Sequence, residues 1–186
     1  MQKKRFYLIL LLLVPTIVAR ASIVDSGTKG SISYSLDDEG TLYISGSGEI
    51  PRYAFFNADW SYAIQVKKII FDDECAISKI GHFMYACYSE DSELTDVEIK
   101  TTIPLTIEDD AIIYDNDIAP HVVNFTITAP SIAAIGKEPF DSYGAPKNIV
   151  FNVGEPIVFE KGVFGDLRTG ETITIPVGST CLTPAG

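Results

Sequence analysis

The chain has 186 residues, with 25 acidic against 14 basic side chains and a formal charge of −11 at neutral pH. That balance excludes partners held through clustered Lys and Arg, both nucleic-acid phosphates and anionic lipid surfaces. Apolar residues make up 46% and no low-complexity stretch interrupts them, which excludes disorder as the main state.

Lys3, Lys4 and Arg5 precede an apolar run from Phe6 to Ala19, and Ala19-Arg20-Ala21 is a small-x-small site. This pattern predicts a cleavable export signal over residues 1–21, cut between Ala21 and Ser22. The run is shorter than the ~20 residues needed to cross a bilayer, and no Cys sits at the cut for lipid attachment. The expected product is secreted or held at the cell surface, with no transmembrane segment left. Its loss of Lys3, Lys4, Arg5 and Arg20 leaves 10 basic residues against 25 acidic ones, a formal charge of −15.

Residues 22–65 are expected to cap one end of the fold. Ile32, Tyr34 and Leu36 alternate on one strand face, and Leu42 and Ile44 on the next. Between them Asp37-Asp38-Glu39-Gly40 supplies a turn, with Gly40 taking the positive φ. Tyr53–Gln65 is rich in aromatic residues and is expected to form a short helix.

From residue 66 to 186 a six-residue phrase returns five times: VKKIIF (Val66–Phe71), LTDVEI (Leu94–Ile99), VVNFTI (Val122–Ile127), PKNIVF (Pro146–Phe151) and GETITI (Gly170–Ile175). Its fourth position falls at Ile69, Val97, Phe125, Ile149 and Ile173, at intervals of 28, 28, 24 and 24 residues. Apolar residues at positions four and six share one face of a strand. A second phrase keeps step between them: IGHFMY (Ile80–Tyr85), IEDDAI (Ile107–Ile112), IGKEPF (Ile135–Phe140) and FEKGVF (Phe159–Phe164). A period in the twenties predicts a solenoid, in which each repeat buries its apolar face only against its neighbours.

The pattern I-G-x-x-A-F, followed by a strand ending in V-x-I or I-x-I-P, resembles the BspA-like leucine-rich repeat of bacterial secreted and cell-surface proteins. Ile80-Gly81 through Ile99, Ile135-Gly136 through Phe151, and Ile173-Thr174-Ile175-Pro176 carry the resemblance. It departs at Met84-Tyr85, Ala111-Ile112, Pro139-Phe140 and Val163-Phe164, which replace the Ala-Phe pair, and at Glu108 and Glu160, which replace the Gly. The expected fold is mainly β: a short leucine-rich-repeat solenoid of about four to five repeats with an N-terminal β-hairpin cap. The resemblance implies adhesion to host, matrix or other cell-surface proteins.

Solenoids of this kind present alternate strand positions as a surface. The candidate binding face is therefore the third strand position (Lys68, Asp96, Asn124, Asn148, Thr172) and the fifth (Ile70, Glu98, Thr126, Val150, Thr174). An alternative is carbohydrate binding by Tyr53, Phe55, Phe56, Trp60 and Tyr62, against the reading that these rings are the core of the cap. A third is a structural subunit joined through the last repeat, since Val177–Gly186 is too short for a full cap unless Leu182 folds over it.

No catalytic pattern is present: no GxSxG, HExxH or P-loop, and His82 and His121 occupy different repeat phases. The carboxylate pairs Asp72-Asp73-Glu74, Asp109-Asp110 and Asp115 with Asp117 read as solvated surface. Asp115-Asn116-Asp117 alternates oxygen ligands but lacks the Gly and Glu that a calcium loop needs later, having Pro120 and Thr126 there. No metal or cofactor is expected. Asn124-Phe125-Thr126 matches a glycosylation sequon inside a predicted strand and is read as chance. Cys75 and Cys87 either pair or, with Cys181, serve as small core fillers.

Overall fold

The computed structural model describes residues 21–56, 58–89, 91–115, 124–140, 147–164 and 172–181. The fold is mainly β, a parallel β-solenoid of about four turns. The chain runs through β1 (Ile23–Lys29), β2 (Ile32–Asp37), β3 (Thr41–Ile50), β4 (Phe55–Phe56), a 3₁₀ helix (Ser61–Gln65), β5 (Lys68–Phe71), β6 (Ala76–Ile80), β7 (Tyr85–Tyr88), β8 (Asp96–Lys100), β9 (Leu105–Ile107) and β10 (Ile112–Asp115). It continues through β11 (Asn124–Ala129), β12 (Ile132–Ile135), β13 (Asn148–Val153), β14 (Val158–Phe159), β15 (Thr172–Thr174) and β16 (Thr180–Cys181).

Each turn of the solenoid passes from a strand of one main ladder to one or two strands of the other ladders. Strands β3, β5, β8, β11, β13 and β15 form the main parallel ladder. A second ladder joins the C-terminal half of β3 to β6, β9 and β12. A third joins β4, β7 and β10, and β14 pairs with β16. The N-terminal strands are antiparallel, β1 on β2 and β2 on β3. Ser22 is tied down at the start of this arrangement. Its carbonyl accepts the Asp38 N–H at 2.8 Å and its own N–H donates to Asp38 Oδ1 at 2.9 Å.

The repeat phrase sets this architecture through its period-two alternation. Positions four and six stack inward in register: Ile69, Val97, Phe125 and Ile149, with Phe71, Ile99, Ile127 and Phe151 beside them, are buried. Ile50, Ile80, Ile107 and Ile135 stack the same way in the second ladder, and Phe55, Tyr85 and Ile112 in the third. Each such side chain contributes about 1.5–3 kcal/mol on burial, so the core is a set of columns running along the solenoid axis.

Two boundaries differ in detail from the sequence reading. The ladder begins one rung earlier than residue 66, because Thr41–Ile44 pair in register with Lys68–Phe71. The strand expected to belong only to a hairpin is thus also the first rung, and β1 is a further strand beside it. The aromatic segment Tyr53–Gln65 is not one helix: Phe55–Phe56 join the third ladder, and only Ser61–Gln65 turn helically. Phe55 is drawn into strand pairing because its aromatic ring completes the inward column headed by Tyr85.

The short phrases form the corners between the second and third ladders. Their backbones pair turn to turn, Gly81 N–H to Ile50 O, Glu108 N–H to Ile80 O and Gly136 N–H to Ile107 O, at 2.8–3.1 Å. At the fourth position the backbone is left-handed in every copy: Phe83 (φ 51°), Asp110 (φ 49°), Glu138 (φ 45°) and Gly162 (φ 92°). Tyr53 (φ 57°) belongs to the same column. Ile50-Pro51-Arg52-Tyr53-Ala54-Phe55 is therefore a fifth copy of the phrase, and the one that keeps the Ala-Phe pair.

Cys75 and Cys87 are buried and unpaired, whereas Cys181 is exposed, which corrects the expectation that all three fill the core. Cys181 ends on the outside because β16 has only β14 beside it among the described strands. Leu182, His121, Asn116, Asp117 and the side chain of Asp115 lie outside the described residues.

Candidate functional site

The ten residues of the candidate face fall on five adjacent parallel strands and in register. One column runs Lys68, Asp96, Asn124, Asn148, Thr172, and the other runs Ile70, Glu98, Thr126, Val150, Thr174. Their neighbours in sequence point inward, so these side chains share the outer surface of the ladder. At about 4.8 Å per strand they span roughly 19 Å. Glu98, Thr172 and Thr174 are exposed and the other seven are half-buried by neighbours in their own columns.

The two columns behave differently. In the third-position column the side chains bond to one another. Asn148 donates from Nδ2 to Asn124 Oδ1 at 2.8 Å, and Asn124 donates from Nδ2 to Asp96 Oδ1 at 2.9 Å. Asp96 takes a further bond at its other oxygen from Thr95 Oγ1 at 2.9 Å. This is a ladder of side-chain hydrogen bonds parallel to the backbone ladder, directed toward the carboxylate. The fifth-position column carries no such chain among the described bonds. Its one ionic contact is Lys68 Nζ to Glu98 Oε2 at 3.9 Å, between two half-exposed groups, and is worth little in water.

Sequence reasoning missed part of the face. Thr41 and Tyr43 extend the two columns by one strand, and Tyr43 is 36% exposed. The signal was present: Thr41-Leu42-Tyr43-Ile44 has the same x-apolar-x-apolar pattern as the later copies. Lys100, Thr128 and Asn152 form a third outward column, again in register, and Lys100 Nζ reaches Asp73 Oδ1 at 2.6 Å.

The aromatic segment divides in two. Trp60 is 6% exposed and Phe55 is fully buried, packed edge-on at 5.0 Å, with Tyr34 against both. Trp60 Nε1 donates to Asp25 Oδ2 at 2.7 Å, and the Tyr34 hydroxyl donates to the same oxygen at 3.1 Å. Burial, with Asp25 beside it, raises the Tyr34 pKa. Trp60 and Phe55 thus belong to the core of the cap and offer no open platform, because the indole is enclosed and its N–H is taken. Tyr53, 46% exposed, lies elsewhere, on the outside of the first corner.

The carboxylates of the third corner hold both neighbouring turns. Glu108 Oε2 accepts the His82 N–H at 2.8 Å, and Asp109 Oδ1 accepts the Lys137 N–H at 2.7 Å. Lys79 Nζ reaches Glu108 at 3.2 Å and Glu49 at 3.1 Å, and Arg52 reaches Glu108 at 3.5 Å. The bond from the His82 backbone holds the Glu108 carboxyl below its usual pKa, with Lys79 and Arg52 adding to it against the opposing effect of burial. Glu108, which stands where the neighbouring copies have Gly81 and Gly136, acts here as a clamp.

A cavity of about 350 Å³ opens beside the first turn between Asp37, Asp38, Lys67, Asp91 and Glu93. Lys67 is paired with Glu93 at 2.8 Å, and Asp37 Oδ1 accepts the Glu39 and Thr41 N–H groups. Among the described residues no three His, Cys, Asp or Glu side chains gather as metal ligands. None of the described helices is long and apolar enough to cross a membrane.

Compared with models of known protein families, with characterised proteins and with solved structures, the chain matches none.

Proposed function

We propose that this protein is an exported, BspA-like leucine-rich-repeat module whose N-terminal hairpin caps the solenoid and whose outer ladder face binds another protein. The observation that carries this reading is the register of the outward columns. Six strands present matched positions on one continuous, mixed polar and apolar surface without a gap. A surface of that kind suits an extended partner contacting several strands at once. The third-position column is stiffened by its own hydrogen bonds, so recognition falls mainly on Tyr43, Ile70, Glu98, Thr126 and Val150. Half-buried apolar side chains beside exposed polar ones are the composition of a modest protein interface. The acidic product expected after export favours a partner with a basic or neutral contact surface.

The test is a capture experiment. The chain from Ser22 to Gly186 is immobilised and offered secreted proteins, surface extracts and matrix proteins at physiological salt. Saturable binding of a protein, weakened by Glu98→Arg and by Val150→Arg with the thermal midpoint kept, supports the reading. Binding that both variants leave intact removes the ladder face from consideration.

A further inference from the structure

A second surface, on a different side of the solenoid, carries its own inference. The first two corners bring together Tyr53, Phe56, His82, Phe83 and Tyr88. His82 stacks on Phe83 at 4.0 Å, and Tyr53 meets His82, Phe83 and Phe56 at 5.5–5.9 Å. Tyr88 meets Phe56 at 6.0 Å and Phe83 at 6.5 Å. Tyr53 and Tyr88 remain 46% and 45% exposed.

These rings are not required by the turn. Tyr53 and Phe83 occupy the left-handed fourth position, which bulky side chains rarely adopt. The same position is Asp110, Glu138 and Gly162 in the later turns. Nor do the rings fill the core, since Phe55, Trp60 and Tyr85 do that from the inside. The aromatic surface is confined to two turns and held rigid by its own edge contacts. At its rim lie hydrogen-bonding groups that are already positioned: Arg52, Glu108 and Lys79 in one paired network, and Asp110 Oδ2 at 3.6 Å from His82 Nδ1.

We infer that this corner is a carbohydrate site that stacks the C–H face of a neutral pyranose on Tyr53 and Tyr88. Three observations select that ligand. Flat, preordered rings with hydroxyl edges match a ring that is apolar on its faces and polar around its rim. The rim carries Glu49, Glu108 and Asp110 against Arg52 and Lys79, an acidic balance that repels an anionic ligand and accepts the hydroxyls of a neutral one. The exposed apolar residues of the corner are the two tyrosines, without the aliphatic surroundings that a protein interface buries in its centre.

The experiment is affinity electrophoresis of the full chain through gels containing amylose, xylan, mannan or a mixed-linkage β-glucan. Tyr53→Gly removes the ring while keeping the backbone conformation that Gly162 already adopts, and Tyr88→Ala removes the second ring. Retardation by at least one polysaccharide is expected. Each variant should lower the association constant by about tenfold or more, as the loss of a ring contact implies, while Glu98→Arg on the ladder face leaves it unchanged. Thermal midpoints show that the variants are folded, and Tyr88→Ala decides alone if Tyr53→Gly is not. The inference is overturned by absence of retardation on all four polymers, or by retardation that survives both substitutions. It is equally overturned if the tyrosine variants lose a captured protein rather than a polysaccharide.

Discussion

Asn124 donates its side-chain amide to Asp96 on the neighbouring strand at 2.9 Å, and accepts the same bond from Asn148 on the other side. Replacing Asn124 with Ala breaks both bonds and is expected to cost about 1–2 kcal/mol. Asn124→Asp should cost more at neutral pH, because it sets two carboxylates directly across adjacent strands. Urea titrations of the three proteins check the order. Equal stability of all three would mean that the ladder contributes nothing.

The tight corners predict two different glycine penalties. A Cβ at Gly81 would lie 2.8 Å from both the Arg52 nitrogen and the Ile50 carbonyl oxygen, which are backbone atoms that cannot swing away. Gly81→Ala should therefore cost about 1–3 kcal/mol through overpacking. At Gly162 the nearest atom is a flexible Lys137 carbon at 3.4 Å, so the penalty there comes from φ of 92°. It is expected at about 1–2 kcal/mol, the cost of a left-handed non-glycine residue. Thermal melts of both variants check the two costs, and Lys137→Ala, which removes the side chain nearest Gly162, should leave the Gly162→Ala cost unchanged if φ is its origin.

Glu108 gives a pH dependence with a definite sign. Its carboxyl titrates below the ordinary value in the folded chain because the His82 N–H, Lys79 and Arg52 favour the charged form. The stabilisation is present above the unfolded pKa and disappears as pH falls through the folded one. Glu108→Gln keeps an acceptor for the His82 N–H but removes the charge, so its loss of stability on acidification should be shallower than in the parent. Parallel acid limbs in the two proteins would contradict the clamp.

The three thiols should separate cleanly. Burial pushes the Cys75 and Cys87 thiols up, and Cys75 Sγ donates to the Ile44 carbonyl at 3.3 Å. Both should resist a thiol-specific reagent at neutral pH until the protein unfolds, while Cys181 reacts at once. Mass spectrometry of labelled native protein reads this directly. A denatured, unreduced sample that exposes one thiol rather than three would indicate a Cys75–Cys87 bond.

Asp25 ties β1 to Trp60, at the start of the 3₁₀ helix, and to Tyr34 of β2. Asp25→Ala leaves a buried indole N–H without its acceptor, at an expected cost of about 1–3 kcal/mol. Trp60 emission in the parent should be weakly quenched by acrylamide and iodide, and strong quenching would show that the indole is not enclosed.

What the amino-acid sequence determined by itself was everything that depends on period. Alternation at Ile69/Phe71, Val97/Ile99, Phe125/Ile127 and Ile149/Phe151 settles which side chains point inward, whereas in the last copy Ile173 is half-buried and Ile175, expected to face inward, lies past β15 and is exposed. The near-constant spacing settles that the strands stack in parallel, so the outward columns could be named residue by residue. The period did not disclose which residues outside the strict phrase join the ladder. Thr41–Ile44 serve two partners at once, antiparallel β2 and parallel β5, and local pattern shows only the first. Tertiary structure alone divided the aromatic segment, since burial of Trp60 but exposure of Tyr53 depends on Asp25 and Tyr34 arriving from β1 and β2. It also turned Asp109 from an expected surface carboxylate, and Glu108 from a departure in the repeat phrase, into clamps, because the N–H groups they accept belong to residues 28 and 26 positions away. Stacking brings such groups within reach, and no feature of a single repeat reveals it.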